Sequence, residues 1–263
     1  PLLKEVKFIK SREIPEGFRI KQVQVIKKAS GYYVNLALEL DVDVPTPQPH
    51  GEGLPPESNS GACTPRHAMG IDVGIKSMLA TSDGLTIERP KFLDGVLRKI
   101  KLLQRKLRNK IKGSKKYLKL QKRIALLYEK VANRRKDYHF KLAHRLCADT
   151  GMIFVEDINF TAWSKGLFCK QSLDMGLGQF ITILEYVCSQ TDTYFAKVDK
   201  NYTSQICPNC GVHTGKKDLS QRLHVCPECG YQQDRDVAAS EVVRQRGVAE
   251  LCRSISCGRF ARA

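Results

Sequence analysis

The sequence predicts an α/β chain: a mixed sheet carrying an inserted basic helical hairpin and a four-cysteine module, with a small β unit in front. Three observations carry this. Short apolar, strand-like runs recur near 68–90, 151–158 and 193–200; a densely basic, helix-patterned region separates the first group from the second; two Cys-x-x-Cys pairs follow the last.

Taken in order, residues 6–44 alternate β-branched and aromatic side chains with charge (VKFIK, FRIKQVQVIKK, GYYVNLALEL), broken by the turn signals PEG and SG, which predicts an antiparallel β unit. PTPQPHGEGLPPESNSG then holds almost no large apolar residue and reads as a linker. AMGIDVGI, SMLATSDG and LTIERP predict three consecutive strands, with a turn at SDG. Between Lys91 and Cys147, Leu102, Leu103, Leu107, Leu118, Leu120, Ile124, Leu127 and Val131 fall at helical spacing, and Gly113-Ser114 divides the region into two helices. GMIFVEDI is a compact apolar strand, GLGQFITILEYVCSQ an amphipathic helix and TYFAKVDK another strand, the βαβ order of a mixed sheet. DRDVAASEVVRQRG, after the cysteines, reads as a helix with an acidic start.

The 263 residues, 42% of them hydrophobic, suffice for one large domain or two modest ones. Lys and Arg number 44 against 27 Asp and Glu, for a formal charge of +17. Such an excess points to a polyanionic partner, nucleic acid first, because clustered cations gain affinity by releasing counterions from phosphates. No apolar run approaches the roughly 20 residues that span a bilayer, so a membrane partner is not expected. There is no secretory leader, and the cysteine pattern suits a reducing compartment, so a cytoplasmic location is expected. With Pro1 in place of an initiator Met, the chain is expected to be part of a longer reading frame or a trimmed piece of a longer protein.

Cys207-Pro-Asn-Cys210-Gly and Cys226-Pro-Glu-Cys229-Gly have the spacing of two knuckles that fold four thiolates around one tetrahedral, structural Zn²⁺. The bland alternatives are redox pairs or ordinary buried thiols. Cys63, Cys147, Cys169, Cys188, Cys252 and Cys257 show no comparable spacing.

Three acids stand where burial is expected. Asp72 interrupts MGIDVGI, Glu156 closes GMIFVE and Asp236 opens the last helix. A carboxylate in an apolar strand is costly unless it is paired or binds a cation, so the three together invite a shared Mg²⁺ or Mn²⁺ site. Singly they read as a turn acid, a strand-end ion pair and a helix cap. Two hard cations roughly 4 Å apart, held by such carboxylates, are the machinery of phosphodiester hydrolysis. No Ser-His-Asp or Cys-His arrangement competes.

The sequences GIDVGIKSMLATSDG, IFVEDIN, KVDKNYTSQICPNCG and HVCPECGYQQDRDVAAS resemble, in order and spacing, the TnpB family of transposon-encoded, RNA-guided nucleases related to type V CRISPR effectors; the resemblance runs from about Ile20 to Gly247. It implies an RNase H-like (RuvC) sheet whose three motifs contribute Asp72, Glu156 and Asp236 as catalytic ligands of two Mg²⁺ or Mn²⁺ ions. It further implies a zinc ribbon inserted before the third motif, with guide RNA and target DNA as the partners. The organisation this implies is a wedge remnant at 1–45, a linker at 46–66, a RuvC-like domain at 67–204 with its basic hairpin at 92–148, the ribbon at 205–231, the last RuvC helix at 232–249 and a tail at 250–263. Two departures stand out. The family's third acid is usually followed by x-Asn-Ala-Ala, whereas Val237, Ala238 and Ala239 follow Asp236, and the family's longer N-terminal region is represented only by its end. Asp234 is the alternative third ligand.

The hairpin crowds Lys99, Lys101, Arg105, Lys106, Arg108, Lys110, Lys112, Lys115, Lys116, Lys119, Lys122 and Arg123 into a short span with few acids. Nucleic-acid contact is assigned to Lys99, Arg105, Lys106, Arg108, Lys112, Lys115, Lys116 and Lys119, since like charges this dense repel unless phosphates lie between them; the bland alternative is a solvated helix face. Tyr202 could stack on a base, Thr203 and Ser204 could meet sugar or phosphate, and Trp163 reads as packing. The leading expectation is a metal-dependent, RNA-guided DNA endonuclease of a transposable element. The competing one is a zinc-stabilised, non-cleaving nucleic-acid-binding remnant. A transposase that joins strands itself ranks last, for want of a His-hydrophobe-His plus Tyr arrangement. The sequence leaves the oligomeric state open.

Overall fold

A computed structural model describes residues 7–39, 67–163, 165–166, 168–218 and 220–256. The expected linker 46–66 and the end of the tail, 257–263, lie outside the described residues. The chain divides into two units, 1–62 with 100–130, and 63–99 with 131–263.

In the first unit, β1 (Arg19–Lys27) and β2 (Tyr32–Glu39) form an antiparallel hairpin in which Val25 faces Val34. Its turn is tied down where Ser30 donates its backbone N–H to Glu129 Oε2 at 3.0 Å, and the Ser30 hydroxyl holds that carboxyl below its ordinary range. VKFIK, expected to be a strand, is not one over its described residues. A strand must satisfy its backbone on a neighbouring edge, no described element pairs with it, and Phe8 and Ile9 are 56% and 95% exposed. The unit also contains the adjoining ends of α1 (Asp94–Arg108) and α2 (Lys115–Cys147), with the break at Gly113-Ser114.

The second unit is built on a mixed five-stranded sheet of order β5-β4-β3-β6-β7. β3 (His67–Val73), β4 (Ser77–Thr81) and β5 (Thr86–Glu88) are an antiparallel meander; β6 (Thr150–Glu156) and β7 (Tyr194–Val198) run parallel to β3. Between β6 and β7 lie α3 (Phe160–Trp163), α4 (Cys169–Met175) and α5 (Leu177–Gln190).

Strand alternation divides the sheet into two faces. Met69, Ile71, Ile153 and Val155 point to one, where they pack with Phe180, Leu184 and Val187 of α5 and with Leu142, Ala143 and Leu146 of α2. The thiols of Cys147 and Cys188 meet in this core at 3.6 Å. Ala68, Met152, Phe154, Ala196 and Val198 point to the other, against Val243 of α6 (Arg235–Ser256). The acids of β3 and β6 share this second parity.

α6 approaches closely because of two glycines. A Cβ on Gly70 would come within 2.0 Å of the Ser240 carbonyl oxygen, and one on Gly247 within 2.1 Å of the Phe154 ring. Gly247 therefore seats the helix on the sheet instead of ending it, so α6 runs to Ser256 rather than 249. It begins at Arg235 because 232–234 form β9 (Gln232–Asp234), antiparallel to β8 (Leu223–Val225).

Candidate active site and metal centre

Asp72 is the penultimate residue of β3 and Glu156 the last of β6, so two parallel strands deliver carboxylates to one end of the sheet on the face that α6 covers. Asp236, in the first turn of α6, reaches them from above. Ser240 lies over Gly70, and four residues back along a helix (about 6 Å) matches two residues forward along a strand (about 6.7 Å). That match carries Asp236 to Asp72.

All three acids line one cavity of ≈ 860 Å³, with Lys76, Arg89, Lys200, Arg222 and Arg235 also contributing to its wall. Asp72 keeps part of its surface open to the cavity, yet its carboxyl is pushed well above the usual range, by loss of water first and then by the charges of Glu156 and Asp236; the Arg235 guanidinium opposes this in part. Burial also raises Glu156, against which the Thr203 hydroxyl and the cations of Arg246 and Lys200 act. A carboxyl stripped of water and crowded by two further acids, as Asp72 is, is short of positive charge, and a divalent cation is what oxygen donors of this kind accept. The donor set thus fits hard-cation binding.

Asp234 is occupied elsewhere. Its Oδ1 accepts the backbone N–H of Asp236 at 2.9 Å and of Val237 at 3.4 Å, a helix N-cap. This leaves Asp236 as the acid aimed at the cavity.

The four cysteines converge: Cys207, Cys210, Cys226 and Cys229 place their sulfurs within 4.8 Å of one another. The Cys207–Cys229 and Cys210–Cys226 sulfurs are 3.7 and 3.6 Å apart. A disulfide needs about 2.05 Å, whereas tetrahedral thiolates at roughly 2.3 Å from zinc stand about 3.8 Å apart. Each knuckle closes when the glycine after its second cysteine donates its N–H to the first cysteine's carbonyl, at 2.9 Å for Gly211 and 3.1 Å for Gly230. Both glycines have left-handed φ, 76° and 71°, a region costly for residues with a Cβ. The cluster can hold a metal ion such as zinc.

Of the predicted nucleic-acid contacts, Lys106, Lys116 and Lys119 line a second cavity of ≈ 500 Å³ at the hairpin bend, together with Lys110 and Arg123. Lys99, Arg105, Arg108, Lys112 and Lys115 are exposed on the helices and their connection but do not line it. Tyr202 is 59% exposed and meets His213 edge to face at 5.2 Å. Trp163 packs on Phe160 and also borders the carboxylate cavity. Thr203 is not free to meet sugar or phosphate. It is buried, and its hydroxyl donates to Glu156 Oε1 at 2.5 Å. Sequence reasoning missed the cavity's cations, Lys76, Arg89, Lys200, Arg222 and Arg235, because basic residues scattered singly along the chain carry no periodicity or spacing.

The family model described as "Probable transposase", of the OrfB type, matches residues 42–165, and the Cas12f1-like TNB domain matches 178–243. The chain is 30% identical over 204 residues to a Streptomyces pristinaespiralis protein named as a candidate RNA-guided DNA endonuclease, covering 76% of this chain and 46% of the relative. It is 27% identical over 175 residues to an Escherichia coli K12 protein, InsQ, that carries the same designation, covering 59% and 44%. The chain thus spans less than half the length of these curated relatives. Among solved structures, a Cas12f in its ternary complex shares the fold, with a TM-score of 0.54 at 20% identity over 84% of this chain and 44% of that one. No helix among the described residues is long and apolar enough to cross a membrane. These matches give the chain an OrfB-type transposase segment followed by a Cas12f1-like TNB segment, the order that its resemblance to the TnpB family implies.

Proposed function

We propose that this chain carries the catalytic part of a metal-dependent, RNA-guided DNA endonuclease of a transposable element, with an RNase H-like (RuvC) site formed by Asp72, Glu156 and Asp236. The observation that carries the reading is the meeting of the three acids in one cation-rimmed cavity at the ends of two parallel strands. The curated relatives' designations give the substrate class and the guide. The strand order, with β4 antiparallel between β3 and β5, and β6 and β7 parallel to β3, supports the RNase H-like assignment.

Asp72, Glu156 and Asp236 would hold two Mg²⁺ or Mn²⁺ ions, which would supply an activated water and a counter-charge for the leaving oxygen. The chain's own residues do the rest. Asp72 and Glu156 are fixed by backbone pairing, so their spacing does not need to be organised at each turnover. Asp236 closes the ligand set from the helix. Lys76, Arg89, Lys200, Arg222 and Arg235 line the cavity with positive charge suited to drawing in a phosphodiester backbone. The basic cleft at the hairpin bend gives a further place for backbone phosphates, and the cysteine module holds one structural Zn²⁺. The non-cleaving alternative is not favoured, since the three acids line one cavity and the curated relatives are designated endonucleases.

The test is cleavage of target DNA with guide RNA and Mg²⁺ by wild type and by Asp72→Ala and Glu156→Ala, with zinc content and thermal midpoint measured alongside. Loss of product in both variants with zinc retained supports the reading; unchanged cleavage in either rejects it.

A further inference from the structure

The loop between β7 and the first knuckle reaches back to a site acid. Thr203 is 5% exposed, and its hydroxyl donates to Glu156 Oε1 at 2.5 Å, with the Lys200 carbonyl at 3.3 Å as the weaker alternative acceptor. A hydroxyl has one proton, and the charged acceptor at the shorter distance takes it. That bond ties down one carboxylate oxygen and leaves the other free.

The turn bearing Thr203 is fixed from the cysteine module. Tyr202, one residue earlier, adopts a left-handed φ of 62°, which a non-glycine residue keeps only when its surroundings impose it. Here Gln205 and Ile206 donate backbone N–H groups to the Tyr202 carbonyl at 2.9 and 3.1 Å. The segment that returns from the first knuckle then clamps the turn. Thr214 donates both its N–H, at 2.7 Å, and its hydroxyl, at 2.8 Å, to the Gln205 carbonyl. Lys217 Nζ donates to the Ser204 carbonyl at 3.2 Å. Ile206 bridges His213, whose ring lies against Tyr202.

We propose that Thr203 is a positioning residue for Glu156, held by the cysteine module, so that the module sets the geometry of the carboxylate site as well as stabilising the chain. The inference rests on the proposed metal role of Glu156. Groups that orient a ligand carboxylate commonly govern affinity by roughly 10–100-fold.

The experiment is a titration of Mn²⁺ into zinc-loaded full chain for wild type, Thr203→Val, Thr203→Ser and Glu156→Gln. Thr203→Val is expected to weaken Mn²⁺ binding by about 10-fold or more, with zinc content unchanged, while Thr203→Ser, which keeps the hydroxyl, stays within about threefold of wild type. Should Thr203→Val not yield zinc-replete protein, Thr203→Ala is read on the same scale. Wild-type affinity in Thr203→Val overturns the proposal, and so does a Thr203→Ser as weak as Thr203→Val, since packing and not the hydroxyl would then be at work. Wild-type affinity in Glu156→Gln overturns the metal role of Glu156 itself, a failure distinct from that of Thr203.

Discussion

Gly70 on β3 lies beneath the carbonyl oxygen of Ser240 on α6, so near that a β carbon on Gly70 would come to 2.0 Å of that oxygen and 2.5 Å of the Arg244 nitrogen. Both neighbours are backbone atoms, which cannot swing aside. The register of helix on strand, and with it the approach of Asp236 to Asp72, depends on this contact.

Gly70→Ala is therefore expected to destabilise the fold by about 3 kcal/mol, the upper part of the usual range for overpacking. For a chain of this size that lowers the thermal midpoint by roughly 6–12 °C. A midpoint within about 1 °C of wild type would show that α6 can slide, and that the register is not fixed here.

Asp72→Asn should stabilise the chain in buffer without added Mg²⁺ or Mn²⁺. Burial and the charges of Glu156 and Asp236 raise the Asp72 carboxyl above its unfolded value. The native state then binds the proton over a window in which the unfolded chain has released it, and stability falls as pH rises from the ordinary carboxylate range through the raised one. Asparagine removes that loss, so the gain should be absent near pH 3, below the ordinary carboxylate range, and fully developed at neutral pH. Thermal melts across pH check it. A destabilised variant at neutral pH would contradict the electrostatic account.

Cys226→Ser should abolish zinc retention after gel filtration, measured by metal analysis, because the other three sulfurs no longer complete a tetrahedral set. Zinc bound at the wild-type ratio would contradict the assignment.

Lys110→Gln with Lys119→Gln should weaken nucleic-acid binding and flatten its salt dependence. Both cations line the cleft at the hairpin bend, where no ion pair among the described residues engages them. Removing one cation that neutralises a phosphate lowers the slope of log K against log salt by roughly 0.7–0.9. Fluorescence anisotropy over a salt series reads this directly, and an unchanged slope would make the cleft a solvated surface.

The parts of this molecule that obey a period or a spacing were legible in the sequence. Strand alternation placed Asp72 and Glu156 in apolar runs whose opposite parity is core, and the two Cys-x-x-Cys pairs do converge. The α5 stripe likewise packs as its spacing predicts, whereas in the hairpin Leu102 and Leu118 are 49% and 54% exposed and the α2 residues in the core, Leu142, Ala143 and Leu146, lie beyond the predicted stripe. What depends on tertiary contact was not legible. Gly247 reads as a helix end but seats α6 on Phe154. VKFIK alternates like a strand but finds no edge. Thr203 sits in a polar loop that suggests solvent, and only the fold brings it 2.5 Å from an acid 47 residues earlier. Asp234 and Asp236 are both candidate ligands by position, and the N-cap geometry separates them.

The central claim is that Asp72 and Glu156 share a divalent metal site. Isothermal titration of Mn²⁺ into zinc-loaded wild type and into the Asp72→Ala, Glu156→Ala double variant tests it most directly. Binding heat in wild type alone, with zinc content equal in both, is the predicted result. Equal binding in the two proteins, or none in either, would contradict it.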